Sequence, residues 1–248
     1  IITCDWSSDV CSSDLTELNR MLGESQYHLG NSAEAIGYLT DYVNAVDAPE
    51  RSALFALGVC EFRKGDYENA KTHVGAVTDA DDVMAQSAYL FMGQMYLKDD
   101  NLNAAALAFE KAYKMPYDES TRETAFYNYA LAQSRGGRTP FSSSVKLFQD
   151  FLNKFPNSRY ASNVEDYIIN SYMTSKDYDN ALLCIEALKS PSAKMMKAKQ
   201  NVLYRLGMRE LQAGKTTSAA DFLTRADELA QYDSKVAQEV KLWLEIGR

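Results

Sequence analysis

Apolar and small residues recur along this chain with a helical period, and the pattern itself repeats. The strings GNSAEA (30–35), GDYENA (65–70) and DNLNAA (100–105) align without gaps, which sets Ala35, Ala70 and Ala105 at intervals of 35 residues. In the same frame Gly23, Gly58 and Gly93 lie upstream, and the series continues with looser spacing at Ala130, Ile169 and Gly207. The matching small positions downstream become Ser144, Ala181 and Ala219. Each unit therefore predicts a helix, a short turn, a second helix and a connector. The pairing has a steric logic: Gly58, beside Leu57 on a first helix, and Ala70 on a second hold no bulk between the two backbones, while larger residues one turn away fill the flanks.

Punctuation supports the same division. Pro49, Pro116 and Pro156 precede helices expected over 51–64, 120–135 and 160–174, with Ser or Asn available as caps. Gly30, Gly65 and Gly214 stand where a helix C-terminus calls for a left-handed residue. The longest turn, SRGGRTPFSSS over Ser134 to Ser144, has neither the preceding strand nor the Lys-Ser/Thr of a phosphate-cradling loop, and reads as a lengthened inter-helix turn. Beyond Tyr232 the residues Val236, Val240, Trp243 and Leu244 share one helical face with no partner helix after them. That face is expected to lie open, so the chain reads as a fragment of a longer array able to self-associate through this C-terminal helix.

Composition narrows the function classes. With 46% apolar residues the 248-residue chain carries too much core-forming material for general disorder. No apolar run approaches the ~20 residues of a membrane helix. A formal charge of −8 without a basic block argues against a sequence-independent grip on nucleic acid. The opening fifteen residues, IITCDWSSDVCSSDL, stand apart: they lack periodicity, repeat Ser-Ser-Asp, and closely resemble a translated sequencing-library adapter. They are expected to be a disordered, non-native artefact, and they have no charged start or apolar stretch of a signal peptide. Setting them aside leaves 26 basic and 31 acidic residues over 16–248, net −5, and only Cys60 and Cys184. Two cysteines so far apart make no disulfide framework or metal pair, and both read as buried core residues.

The positions of the repeat resemble the tetratricopeptide (TPR) signature: Met92, Gly93 and Tyr96 on a first helix, then Ala105, Phe109 and Ala112 on a second, with Pro116 ending it. Departures are local, with Glu61 and Glu210 in place of the usual Tyr, Ile169 in place of a small residue and Ser144 in place of Ala. The resemblance implies an all-α fold, a right-handed α-solenoid of stacked antiparallel helix pairs, six pairs plus an unpaired C-terminal helix. The units run over about 16–48, 49–81, 82–116, 117–156, 157–190 and 191–231, with a partial one at 232–248. The stretch Leu147 to Leu182 also resembles repeats of bacterial cell-envelope members of the family, which suggests a periplasmic or envelope-associated protein, a cytoplasmic one being the alternative.

Catalytic chemistry is not in evidence. His28 and His73 lack the neighbours of a triad or metal site and read as solvated or edge-packed. Asp79, Asp81 and Asp82 read as residues of a solvated helix N-terminus, and Met195-Met196 as core packing. The chain is expected not to be an enzyme and to need no cofactor or metal. In a TPR stack the first helices line a concave groove. In this register the groove candidates are Tyr27, Phe55, Phe62, Leu90, Leu97, Tyr127, Leu131, Tyr204, Met208 and Leu211, with Arg63, Lys98 and Arg135 at the rim. Each apolar position is equally open to a second reading as inter-repeat core, since groove and core lie one turn apart. The Lys and Asn of the family's carboxylate clamp have no counterpart, the corresponding pairs being Arg20 and Glu24, Phe55 and Val59, and Leu90 and Gln94. The expected function is a scaffold that holds a protein or peptide partner in this groove, an acidic segment or chain end given the basic rim. A regulatory segment of a larger signalling protein, and less readily a glycan-binding envelope lipoprotein, are the alternatives.

Overall fold

The computed structural model describes residues 8–136 and 141–246, with side chains described over 14–136 and 144–246. Among these residues there are thirteen helices and no strand. They divide into two compact units, residues 1–138 and 139–248. The first holds α1 (Ser8–Leu29), α2 (Ser32–Ala45), α3 (Arg51–Lys64), α4 (Tyr67–Gly75), α5 (Val83–Lys98), α6 (Leu102–Lys114) and α7 (Glu119–Arg135). The second holds α8 (Phe141–Lys154), α9 (Ala161–Ser175), α10 (Tyr178–Glu186), α11 (Ala193–Gln212), α12 (Thr216–Asp227) and α13 (Ser234–Ile246). The turns between paired helices are too short for anything but antiparallel packing. The architecture is an all-α solenoid. The two helices of the expected 117–156 unit, α7 and α8, belong to different compact units, and part of the turn between them lies outside the described residues.

One expectation at the N-terminus needs correction. Residues 1–15 do not all lack structure, because α1 is already helical from Ser8; residues 1–7 lie outside the described residues. Extending an existing helix is far easier than nucleating one, and the packed part of α1 carries it upstream. At Leu15 that extension is 59% exposed.

Within each pair the close approach foreseen at the small positions takes a specific form. A Cβ on Gly23, Gly58, Gly93 or Gly207 would stand 2.5, 2.6, 2.5 or 2.8 Å from a side-chain carbon of Leu39, Val74, Phe109 or Leu223 respectively. These four partners are buried, so in each of these pairs the second helix drives a branched or aromatic core side chain onto the bare backbone of the first. The turns use one left-handed residue at a shared repeat position. It is Gly30, Gly65 and Gly214 in three pairs, and Asp100 and Lys176, at φ 57° and 56°, in two others.

A polar device ties three of the pairs to the connector that follows them. Buried Gln86 on α5 donates its amide to the carbonyls of Ala112, Met115 and Asp118 at 3.1, 2.8 and 3.2 Å, and its Oε1 accepts the Asp118 N–H at 2.7 Å. At the equivalent position of α3, Arg51 donates to the Val77 carbonyl at 2.7 Å and to Asp82 at 2.6 Å. On α11, buried Gln200 donates to the Asp233 carbonyl at 3.1 Å, but its Oε1 finds no partner. Asp82 and Asp118 in turn cap α5 and α7 by accepting from Ala85 and Thr121. The connector aspartate Asp82 is therefore a capping and ion-paired group, in line with a helix N-terminus.

The C-terminal helix corrects a second expectation. The α13 face bearing Val236, Val240 and Trp243 does not lie open: Val240 is fully buried, Ala237 nearly so, and Trp243 half-buried where α13 packs on α11 and α12. A helix stripe first covers the pair behind it. The large apolar residues that stay exposed here are Leu242 and Ile246, on other sides of the helix.

Candidate functional site

The first helices of the first unit, α1, α3, α5 and α7, carry most of the groove candidates. Tyr27, Phe55, Phe62, Leu90, Leu97, Tyr127 and Leu131 are all half-buried, neither core nor free surface. Their inner flanks bridge neighbouring repeats. The Phe55 and Phe62 rings meet Phe91 edge-on at 6.0 and 5.5 Å, joining α3 to α5, and Phe62 also reaches Tyr67 at 5.7 Å. Leu90 and Leu97 pack against the cluster of Ala105, Phe109 and Ala132. Each of these four positions thus serves helix packing with one flank, as the core reading expects, and stays partly exposed on the other. Sequence reasoning missed Phe91, on which the aromatic cluster turns; it stands at the repeat position of Ala56, where the pattern gave no aromatic signal.

The three basic candidates differ from these. Arg63, Lys98 and Arg135 end α3, α5 and α7 at one repeat position and are exposed. Among the described residues none of them meets a carboxylate, although ion pairs are frequent elsewhere in the chain; Arg63 instead stands over the Tyr27 ring at 5.4 Å. By contrast Arg20, at a clamp-like position of α1, is engaged by Glu17 and by Glu24 at 2.8 Å, so its charge is already compensated within the helix.

In the second unit Tyr204, Met208 and Leu211 on α11 are half-buried. Burial pushes the Tyr204 hydroxyl pKa up, with the Glu239 carboxylate of α13 adding to the shift, so this ring faces α13. A cleft of about 380 Å3 opens on the other flank, between α9 and α11, walled by Ile169, Met173 and Ala198. Its polar groups are Lys194, paired with Asp166 at 2.6 Å, together with Asn201 and Arg205, neither of which sequence reasoning singled out. They sit one turn from Tyr204 and Met208, and period alone does not separate those adjacent faces.

The remaining reactive groups are housed by packing. Cys60 and Cys184 are buried, and burial pushes both thiol pKa values up, that of Cys184 to about 11. Met195 is core and Met196 half-buried. His28 is exposed against Tyr27, whereas His73 bonds through Nδ1 to buried Glu61 at 2.8 Å, a partner one helix away that sequence reasoning did not assign. Among the described residues no group of three or more His, Cys, Asp or Glu side chains is placed to hold a metal ion, and no helix is long and apolar enough to cross a membrane.

Comparison with known proteins bears on the fold. Tetratricopeptide repeat families match residues 20–73, 86–118 and 124–158. No curated protein matches the sequence. Among solved structures, PilF of Pseudomonas aeruginosa is similar at a TM-score of 0.50 and 14% identity, over 93% of this chain and 98% of that one. A tetratricopeptide repeat protein of Parabacteroides merdae gives 0.48 and 17%, over 94% and 84%. YrrB, described as a TPR protein with an unusual peptide-binding site, gives 0.47 and 11%, over 90% of each chain. At such identities likeness concerns the fold alone. With small residues in phase on the first helices except α9, left-handed turns at one repeat position and three family matches spread along its length, the chain is a tetratricopeptide repeat protein.

Proposed function

We propose that the chain is a non-enzymatic interaction scaffold that holds an acidic segment of a partner protein along the first helices of its first unit. Tetratricopeptide arrays present extended surfaces of stacked helices to other proteins, which supports the scaffold reading. The observation that carries the acidic preference is the row Arg63, Lys98 and Arg135: three exposed cations at one repeat position on successive first helices, without carboxylate partners among the described residues of a net acidic chain. Each is favourable at a helix C-terminus by itself. Three in register add a local positive strip that draws an acidic chain and fixes its direction. Beside the strip, the half-exposed flanks of Tyr27, Phe55, Phe62, Leu90, Leu97, Tyr127 and Leu131 offer apolar contact at little entropic cost for the rings. In the second unit Tyr204, Met208 and Leu211 form the corresponding surface without a basic row.

Selection of a displayed random-peptide library on the protein tests this reading. Recovered sequences are expected to be enriched in Asp and Glu with interspersed apolar residues, and to be lost when Arg63, Lys98 and Arg135 are all changed to Glu. Recovery without acidic bias, or recovery unchanged by the triple substitution, would count against the strip as the site.

A further inference from the structure

On the opposite side of the first unit, the second helices α2 and α4 flank a cleft of about 480 Å3 floored by α3. At its base lies Glu61, only 6% exposed, where the family places Tyr. Its Oε2 meets His73 Nδ1 at 2.8 Å, and no described residue donates to Oε1. A carboxylate this deeply buried is costly unless it is neutralised and hydrogen-bonded. A histidine, charged only when protonated, is the sole ionisable side chain that pairs with it among the described residues. Lys64 lines the same cleft yet is exposed and pairs with neither Glu61 nor another carboxylate among the described residues. The other acid at the rim, Asp66, is spent on capping α4, both its oxygens accepting from Asn69.

The second unit contains an internal control. At the same repeat positions around α9 and α10, Tyr172 stands for Glu61, Cys184 for His73, Asp177 for Asp66 and Asn180 for Asn69. There the Tyr hydroxyl and the thiol satisfy each other, and the cleft is about 230 Å3. Exchanging Tyr for Glu and Cys for His coincides with a larger cleft that has an under-compensated charge at its base.

We propose that this outer cleft receives a Lys or Arg side chain of a partner protein, the cationic head on Glu61 and the aliphatic stem along Ile36 and Val43. The cleft is amphipathic in the way such a guest is: Ile36, Val43 and Leu57 supply apolar wall, and Thr40 and Asn44 supply further acceptors. A metal ion fits less well, since two protein ligands are too few for a stable site and the cleft far exceeds an ion in size. The surface lies apart from the proposed groove and does not depend on it.

Titration with butylguanidinium chloride at constant ionic strength, read by the ring carbon-proton resonances of the two histidines, tests the assignment. His73 is expected to shift saturably and His28 not at all. Glu61→Gln and Glu61→Tyr are both expected to weaken the probe about tenfold or more. Glu61→Tyr installs the residue that repeat position already carries as Tyr172, so it keeps the experiment interpretable where the glutamine variant fails to fold. A linear shift, an equal shift in Glu61→Tyr, or zinc chloride saturating His73 and excluding the probe would each overturn the proposal.

Discussion

Gly58 and Gly37 are both interior helix glycines, yet the same Ala substitution is expected to act with opposite sign at the two. In an exposed helix interior Ala is better than Gly by about 1 kcal/mol. Gly37 on α2 is exposed, and a Cβ there meets nothing within 4 Å, so Gly37→Ala should stabilise by close to that amount. At Gly58 the same gain is opposed by contact. The new Cβ would lie 2.6 Å from Val74 Cγ2, 3.0 Å from the Val74 backbone nitrogen and 3.2 Å from the Ala70 carbonyl oxygen. A side-chain methyl can turn away, but two backbone atoms of α4 move only if the helix moves. Overpacking of this kind costs about 1–3 kcal/mol, and subtracting the propensity gain of about 1 kcal/mol leaves a net loss of up to about 2 kcal/mol. Val74→Ala in the Gly58→Ala background removes the shortest contact and should cost less than the two single changes added together. Urea unfolding followed by helical circular dichroism measures the shifts, and hydrogen exchange at α3 and α4 amides locates them, since a repeat stack can open locally. Gly58→Ala at least as stable as the parent, or both variants shifting in one direction, would refute the close-approach argument.

Three further outcomes follow from the packing. Gln86→Leu strands the buried Asp118 N–H and three carbonyls and should cost about 2–3 kcal/mol, whereas Gln200→Leu gives up one bond and an unpaired oxygen and should cost about 1 kcal/mol or less; chemical denaturation of the two variants compares them. Lys176→Gly relieves a left-handed turn residue and should stabilise by about 0.5–1 kcal/mol, read as a raised thermal midpoint. The Asp118 carboxyl is held below its ordinary pKa by the Thr121 hydroxyl and then the Thr121 N–H. Its contribution is therefore complete above the unfolded-state value of about 4 and is lost as pH falls through the lower folded value, so Asp118→Asn should flatten the acid limb of a stability-pH curve.

The periodic features were legible because they repeat. Gly23, Gly58 and Gly93 with Ala35, Ala70 and Ala105 predicted the helix pairs, and α3 occupies the residues assigned to it. What escaped were features that depend on reach. Gln86 looks like a surface residue in a single helix, and only its contact 32 positions ahead at Asp118 makes it structural. Glu61 was recognised as a departure from Tyr, but its union with His73 needed two helices to be placed side by side. The groove candidates divided poorly because a half-buried ring such as Phe62 touches Phe91 on one flank and solvent on the other, and a one-dimensional period has no coordinate for that distinction. The α13 stripe was read as open because the pattern counts a following partner and ignores the preceding pair.

The connector latches differ in strength, and that sets an order of events. Of the four Gln86 hydrogen bonds, melting α7 away from α5 breaks the two to Asp118 and leaves those to Ala112 and Met115; where Gln200 makes one bond beside an orphaned oxygen, α13 gives up a single such bond when it departs from α11. In a linear array whose stability is a sum of nearest-neighbour couplings, a weak coupling is where cooperativity breaks. The α11–α13 junction should therefore open more readily than the α5–α7 junction, with earlier hydrogen exchange at its amides.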